Sequence, residues 1–257
     1  MPRRRMNLLD RAATARARRF WARAADAADL APAEDLRGLR GSARRLAGAL
    51  DTFLRRADDR LALPLAGSNA MNRPLGADWL WRPPLWREAN RPRGHVGPQN
   101  GLQLGPGIRL FHDCPLAEIV LRQERNRREA DLAPFGLRIE VLEFGGSFLS
   151  LAIELPGEAI AGLQRRHLFQ AAFDIEAERQ VKAFARIKVK HGPNTEEVTR
   201  ELPVAGGVAA VDFDLAYTKV NEARVEAAWL DVIFEAPALN AVRLRDLVLS
   251  RRPRAEL

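Results

Sequence analysis

The stretch that decides the fold reads VKAFARIKVK and covers residues 181–190. Its odd-numbered positions are all apolar. The even-numbered positions are Lys182, Phe184, Arg186, Lys188 and Lys190. Alternation with a period of two places successive side chains on opposite faces of an extended chain. The stretch therefore predicts a β-strand with one face in a hydrophobic core and a basic outer face that carries one aromatic ring.

Runs with the same period follow one another along the chain after Gly107, separated by polar turns such as Gly145-Gly146 and Gly206-Gly207. They lie at residues 108–110, 119–121, 137–141, 149–155, 169–175, 181–189, 211–215, 229–234 and 242–248. One short helical turn, around residues 156–164, interrupts them. Strands do not alternate with long helices, which excludes a parallel α/β sheet. The pattern predicts an antiparallel β-sandwich of jelly-roll type, with about nine or ten strands, over residues 107–257.

The N-terminal part of the chain has a different period. Between Met6 and Arg60 apolar residues recur at spacings of three and four, which is typical of an α-helix. Pro32, followed by Glu34 and Asp35, indicates a break and a new helix start, because proline and acidic residues suit the first helical turn. We therefore predict a basic α-helical hairpin over residues 1–62, in front of a mainly β fold.

Residues 63–106 are rich in proline, glycine and asparagine, yet they contain Trp79, Trp81 and Trp86, three of the five tryptophans. A purely flexible linker would lack such residues. We predict a linker packed on the sandwich, with tryptophans that pin it there. Stacking against a sugar ring and binding of a partner protein are the alternatives for these side chains.

Composition limits the partners and the location of the protein. The formal net charge is +8 and the isoelectric point is near 10.7, which favours a polyanion such as an acidic glycan, with nucleic acid also open. Most of the cations are arginines in an alanine-rich sequence, however, and this usage favours a biased base composition of the genome as the source of the charge. The single cysteine, Cys114, excludes an internal disulfide. We find no signal peptide and no apolar membrane span, and expect a cytoplasmic protein.

The residues that could act as nucleophiles, bases or metal ligands do not form a recognisable catalytic motif. His112, Asp113 and Cys114 are adjacent at the end of an early strand, where His112 and Cys114 could share a face and Asp113 could not. Adjacency in the sequence does not by itself place a thiol and a base together as a catalytic dyad. The four histidines are scattered singly, without the spacing of a metal site. The acidic pairs Asp212/Asp214 and Asp174/Glu176 are ordinary for the polar face of a strand. We therefore predict no catalytic residue, no metal and no cofactor.

The basic strand is the strongest candidate for binding. A sheet face that combines positive charge with an aromatic ring suits acidic sugars or single strands of nucleic acid. The predicted ligand-binding residues are Trp79, Trp81, His112, Lys182, Arg186, Lys188 and Lys190. The sequence thus favours a non-catalytic binding module for an acidic or polyhydroxylated ligand, for example an envelope polysaccharide. The alternative is a structural adaptor whose N-terminal helices recruit a protein partner or an anionic membrane surface.

Several strings of the sequence resemble a family known as a domain of unknown function from Rhodobacter-type alphaproteobacteria. They are DWLWRP (78–83) with LW (85–86), FHDC (111–114), SFLSL (147–151), KHGPNTE (190–196), FDLAYTK (213–219) and RRPRAEL (251–257). The resemblance implies a bacterial origin and one unit that runs from the tryptophan segment to the C-terminus, and it implies no activity or ligand. More loosely, VRLRDLVL (242–249) is similar to the last strand of carbohydrate-binding sandwich modules.

Overall fold

A computed structural model describes residues 7–62, 70–204 and 206–254, and the chain divides into two compact units, Met1–Leu54 and Arg55–Leu257. Helix α1 (Leu8–Asp26) begins at a capping box, in which the Asn7 side chain accepts from the Asp10 N–H at 2.7 Å and the Asp10 carboxylate accepts from the Asn7 N–H. Helix α2 (Ala33–Ala62) starts after Pro32 with Glu34 and Asp35 in its first turn, as predicted. Among the described residues, no helix is long and apolar enough to cross a bilayer.

The second unit contains the strands and two short helices. In chain order they are β1 (Trp79–Trp81), α3 (Pro84–Arg87), β2 (Gly94–Val96), β3 (Gln103–Gly105), β4 (Ile108–His112), β5 (Ile119–Arg125), β6 (Phe135–Val141), β7 (Phe148–Glu154), α4 (Gly157–Ile160), β8 (His167–Ala177), β9 (Lys182–His191), β10 (Asn194–Glu201), β11 (Gly207–Asp214), β12 (Val225–Glu235) and β13 (Asn240–Pro253). The short α4 lies where the sequence predicts a helical turn.

The strands form two antiparallel sheets that face each other. One sheet has the order β11-β8-β13-β6-β5-β2, with β1 paired to β13, and the other has the order β10-β9-β12-β7-β4-β3. Strands β4, β8 and β9 bury every second side chain between the sheets, as Ala183, Ala185, Ile187 and Val189 of β9 do. The predicted antiparallel sandwich of jelly-roll type is confirmed, and the face of β9 predicted to be apolar is the buried one.

The proline-rich segment supplies strands to both sheets, because β1 and β2 belong to one sheet and β3 to the other. Trp86 of α3 is fully buried, and its indole Nε1–H donates to the carbonyl of Leu244 on β13 at 3.0 Å. Arg82, which is 1% exposed, donates from Nε and Nη2 to the two carboxylate oxygens of Asp246, both at 2.8 Å. These contacts join the segment to the centre of the seven-stranded sheet.

A second arginine fixes the start of β1. Arg251 donates from Nε and Nη2 to the carboxylate of Asp78 at 3.1 and 3.0 Å, and from Nη1 to the carbonyls of Ala159 and Ala161. The buried ring of His167 places Nε2 3.8 Å from the same carboxylate. Burial and the charge of Arg251 lower the pKa of His167. Burial alone would raise the pKa of the Asp78 carboxyl, but the hydrogen bonds and charge of Arg251 hold it below its ordinary value.

These two shifts predict that acid destabilises the sandwich. A histidine whose folded pKa lies below its unfolded value leaves stability intact above about pH 6.5 and lowers it as the pH falls from there towards the folded pKa. Asp78 acts in the same direction below about pH 4. We expect the melting temperature to fall between about pH 8 and pH 5, and to fall less in His167→Asn, which keeps an acceptor for the Gln164 N–H. His95→Asn, in the same sheet, is the control; an equal fall in both variants would place the acid-sensitive groups elsewhere.

Candidate functional site

An open groove of about 840 Å³ lies on the outer face of the six-stranded sheet. Its lining comes from five strands, β4, β7, β9, β10 and β12. The lining residues are Phe111, Phe148, Ser150, Ala152, Arg186, Lys188, Thr195, Glu197, Trp229, Asp231 and Ile233. The strands place these residues together because residues directly opposite each other in an antiparallel pair point to the same face.

The groove has an aromatic and apolar floor. Trp229 of β12 stands opposite Lys188 of β9 on one side and Glu154 of β7 on the other. On β7 the outward positions carry the small side chains of Ser150 and Ala152, which leave a depression between Trp229 and Phe111 of β4. Trp229 is half-buried and lines the open groove, so its indole ring contributes apolar aromatic surface to the groove floor.

A fixed group of charges stands beside Trp229. Asp231, only 5% exposed, faces Arg186 across the β9–β12 pair. Arg186 donates to Asp231 Oδ2 from Nε at 3.2 Å and from Nη2 at 3.0 Å, and Lys188 Nζ lies 2.9 Å from the same oxygen. On the other side, Glu197 of β10 lies 3.3 Å from Arg186 and 3.8 Å from Lys188. The group supplies donors and acceptors at fixed positions on the groove floor.

The stripe predicted to be basic is electrically balanced by its neighbours. Arg186 and Lys188 share Asp231 and Glu197, as described above. Towards the ends of β9, Lys182 Nζ lies 3.1 Å from the Glu235 carboxylate and Lys190 Nζ lies 2.7 Å from that of Glu226. The hydrogen bond and charge of Lys190 lower the pKa of the Glu226 carboxyl. Four cations therefore face four carboxylates on this part of the sheet.

The predicted binding residues do not all meet in this groove. Arg186 and Lys188 line it, and Lys182 and Lys190 lie on the same outer face towards the two ends of β9. Trp79 and Trp81 lie on the other sheet, packed against the core, with their rings stacked 6.1 Å apart. These four polar and two aromatic side chains thus occupy two separate parts of the sandwich.

His112 is the remaining predicted residue. It is buried at the end of β4, with Nε2 3.0 Å from the Pro98 carbonyl oxygen. The neighbouring residues have other partners: Cys114 Sγ donates to the carbonyl of Leu116, and the Asp113 carboxylate accepts from Ser147 N–H and Oγ–H. The hydrogen bonds from Ser147 lower the pKa of Asp113. Over the described ranges, no three His, Cys, Asp or Glu side chains are grouped so as to hold a metal ion.

Of the residues that line the groove, the sequence predicts only Arg186 and Lys188, and it misses the central pair Trp229 and Asp231. Both lie in the run 229–234, which is apolar at nearly every position and so does not reveal which residues face outward. Their outward position becomes visible only from the pairing with the neighbouring strand. When β12 is aligned with β9, Trp229 lies opposite Lys188 and Asp231 lies opposite Arg186.

Comparison with solved structures gives low-scoring likenesses. An enzymatically active domain of tailspike protein 4 from bacteriophage CBA120 matches 58% of this chain and 21% of its own, at 10% identity and a TM-score of 0.41. A cyclase from Fischerella sp. TAU, solved with 4-(1H-indol-3-yl)butan-2-one, matches 63% of this chain and 90% of its own, at 11% identity and a TM-score of 0.41. A family 11 carbohydrate-binding module from Clostridium thermocellum, solved with a mixed-linked tetrasaccharide, matches 62% and 96%, at 8% identity and a TM-score of 0.36.

The present chain thus spans about a fifth of the length of the tailspike domain. Scores this low do not transfer the ligands of those proteins to this one. No curated protein matches the sequence. A model described as a family of unknown function matches residues 1–257, which is the whole chain.

Proposed function

We infer the function of this chain, which belongs over residues 1–257 to the family of unknown function DUF6478, from the groove on its own six-stranded sheet. We propose that the groove binds an uncharged polyhydroxylated ligand, such as a neutral glycan chain. The observation that carries the proposal is Trp229, which lies in an open groove beside the carboxylate of Asp231 and the cations that hold it.

Sugar rings have apolar faces and a rim of hydroxyl groups, and the groove offers a partner for each. Trp229 offers the flat surface for stacking, and Phe111 adds a second aromatic ring across the depression. Asp231 and Glu197 accept hydrogen bonds, whereas Arg186 and Lys188 donate them. Their mutual ion pairs keep these groups in place before a ligand arrives, which reduces the ordering cost of binding.

The charge balance favours a neutral ligand over an acidic one. An acidic ligand would have to compete with Asp231 and Glu197 for the cations of β9, and it would meet both carboxylates. The net charge is also unevenly distributed: residues 1–54 contain 12 arginines and 6 acidic residues, out of 41 cationic and 33 acidic residues in the whole chain. The sequence after residue 54 thus carries a net charge of only +2 out of +8.

The proposal is tested with Trp229→Ala. We expect the wild-type protein to retain at least one neutral oligosaccharide on a glycan array, and the variant to bind it about thirtyfold more weakly, a loss of about 2 kcal/mol that is ordinary for a central aromatic contact. Isothermal titration calorimetry with that oligosaccharide measures the loss. Trp21→Ala, which removes a tryptophan from α1, is the matched control and should bind as the wild type does.

The salt dependence of binding, and the kinds of glycan that the protein retains on the array, distinguish a neutral ligand from an acidic one. Binding of a neutral glycan should change little between low salt and about 1 M NaCl, where the Debye length is near 3 Å. Retention of acidic glycans alone, with affinity that falls steeply with salt, would contradict the neutral class. Unchanged affinity in Trp229→Ala would mean that the ligand does not bind in the groove.

A cytoplasmic location and an alphaproteobacterial origin stay predictions.

A further inference from the structure

We propose that the N-terminal helical unit, through the arginines of α1 and the exposed apolar stripe of α2, binds the surface of a membrane that contains anionic lipid. This inference goes beyond the groove, because it rests on other residues and on a different kind of partner. It gives the protein two separate binding surfaces, one on each unit.

The arginines of α1 are concentrated on one half of the helix. Arg11, Arg16, Arg18, Arg19 and Arg23 are all exposed. At 100° per residue they fall within an arc of about 160°. The opposite half carries alanines and Phe20, whose ring packs edge-on against Trp21 at 5.1 Å. An amphipathic helix with arginines on one face and an aromatic ring on the other is suited to lie in the plane of a membrane surface.

The middle turns of α2 expose an apolar stripe. The four side chains are Leu46 at 39% exposed, Leu50 at 53%, Phe53 at 66% and Leu54 at 37%. Their spacing of four, three and one residues places them on one side of the helix. Exposed apolar side chains that adjoin one another on a helix mark an interaction surface more often than isolated ones do.

The charge of the unit favours a lipid surface over a second copy of the chain. With 12 arginines against 6 acidic residues in 1–54, two copies would bring like charges together, whereas an anionic leaflet attracts each arginine near it. Phenylalanine and tryptophan on the apolar face of such a helix also suit the boundary between headgroups and acyl chains. Because the face of α1 is mostly alanine, we expect reversible, salt-sensitive attachment rather than deep insertion.

The experiment is cosedimentation of the full-length protein with sucrose-loaded vesicles, either of phosphatidylcholine alone or of phosphatidylcholine mixed with phosphatidylglycerol. The expected result is binding to the mixed vesicles at low salt, little binding to phosphatidylcholine, and release at about 1 M NaCl, where the Debye length falls to about 3 Å. Binding to both vesicle types alike, or to neither, would overturn the proposal.

Two variants assign the binding to the helices. Arg18→Gln with Arg19→Gln and Arg23→Gln keeps helix propensity and removes three charges. Since one arginine near an anionic surface contributes roughly a fivefold factor, the triple variant should bind on the order of a hundredfold more weakly. The matched control makes the same substitution at three exposed arginines of the other unit, Arg91, Arg127 and Arg179. This control should bind the vesicles as the wild-type protein does.

Leu50→Gln with Phe53→Gln tests the apolar stripe, and we expect about tenfold weaker vesicle binding. Its control is Leu75→Gln with Val208→Gln, which replaces two side chains of the other unit that are 98% and 82% exposed. Equal losses in a variant and its control would overturn the assignment. So would a dimer in solution that Phe53→Gln dissociates, because the stripe would then join two copies. Failure of vesicle binding leaves the groove untouched, since Trp229→Ala is measured with a soluble oligosaccharide.

Discussion

Trp86→Ala is expected to lower the free energy of unfolding by about 4 kcal/mol, the usual range for a buried tryptophan being about 3–5 kcal/mol. Trp86 is completely buried, and it packs from α3 into the core cluster between the two sheets. The substitution leaves a cavity of nearly the size of an indole ring, and it leaves the Leu244 carbonyl without the donor that now lies 3.0 Å away.

Urea denaturation followed by circular dichroism in the far ultraviolet measures this loss, with the midpoint and the slope compared separately. Trp86→Phe should lose clearly less, because it keeps a six-membered ring in the cavity and removes only the hydrogen bond and part of the volume. Trp21→Ala should leave the transition of the sandwich unchanged. A loss below about 1 kcal/mol for Trp86→Ala, the typical effect of an ordinary substitution, would mean that the proline-rich segment is dispensable for the fold.

Arg82→Ala is the second large effect, with an expected loss of about 3–5 kcal/mol. The guanidinium is almost fully buried, it is bidentate on Asp246, and its Nη2 also donates to the carbonyl of Ala70 at 2.9 Å. Removal of the arginine leaves a carboxylate that is 16% exposed without this partner. Much of the loss is therefore the cost of a buried charge rather than the strength of the pair itself.

The double variant Arg82→Met with Asp246→Leu distinguishes these contributions. If the unpaired charge dominates, the double variant should be more stable than Arg82→Ala, since both charges are gone. The control is Arg122→Ala: its side chain is 53% exposed and its ion pairs are 3.9 Å long, so the change in stability should be close to zero. A double variant as unstable as the single one would assign the loss to packing instead.

The two faces of β9 show how much the sequence can predict. The sequence predicts the apolar face of residues 181–190 correctly, because a period of two determines which side chains share a face. The character of the other face was not visible in the same way. Whether Arg186 and Lys188 are free or paired depends on Asp231 and Glu197, which are 45 and 11 residues away from Arg186 along the chain. Register between strands, and not composition, decides the charge of the groove.

Strand β10 and the two tryptophans of β1 illustrate two further limits of prediction from the sequence. The string NTEEVTRE has one apolar residue, Val198, so it lacks the period of a strand, yet it forms β10 at the edge of the six-stranded sheet. An edge strand covers less of the core and needs fewer apolar residues to form. Trp79 and Trp81 suit a core and a sugar surface equally well by residue type. The pairing of β1 with β13 places them against the core.

The same strand β10 has a consequence for the behaviour of the protein at high concentration. An unpaired strand edge is a template on which another chain can add a strand, and long apolar edges promote fibrous aggregation. Here the outermost strand carries Glu196, Glu197, Arg200 and Glu201, and at the other end of that sheet β3 is only three residues long. Charged side chains on one border and a strand of only three residues on the other both disfavour edge-to-edge addition of strands to the six-stranded sheet.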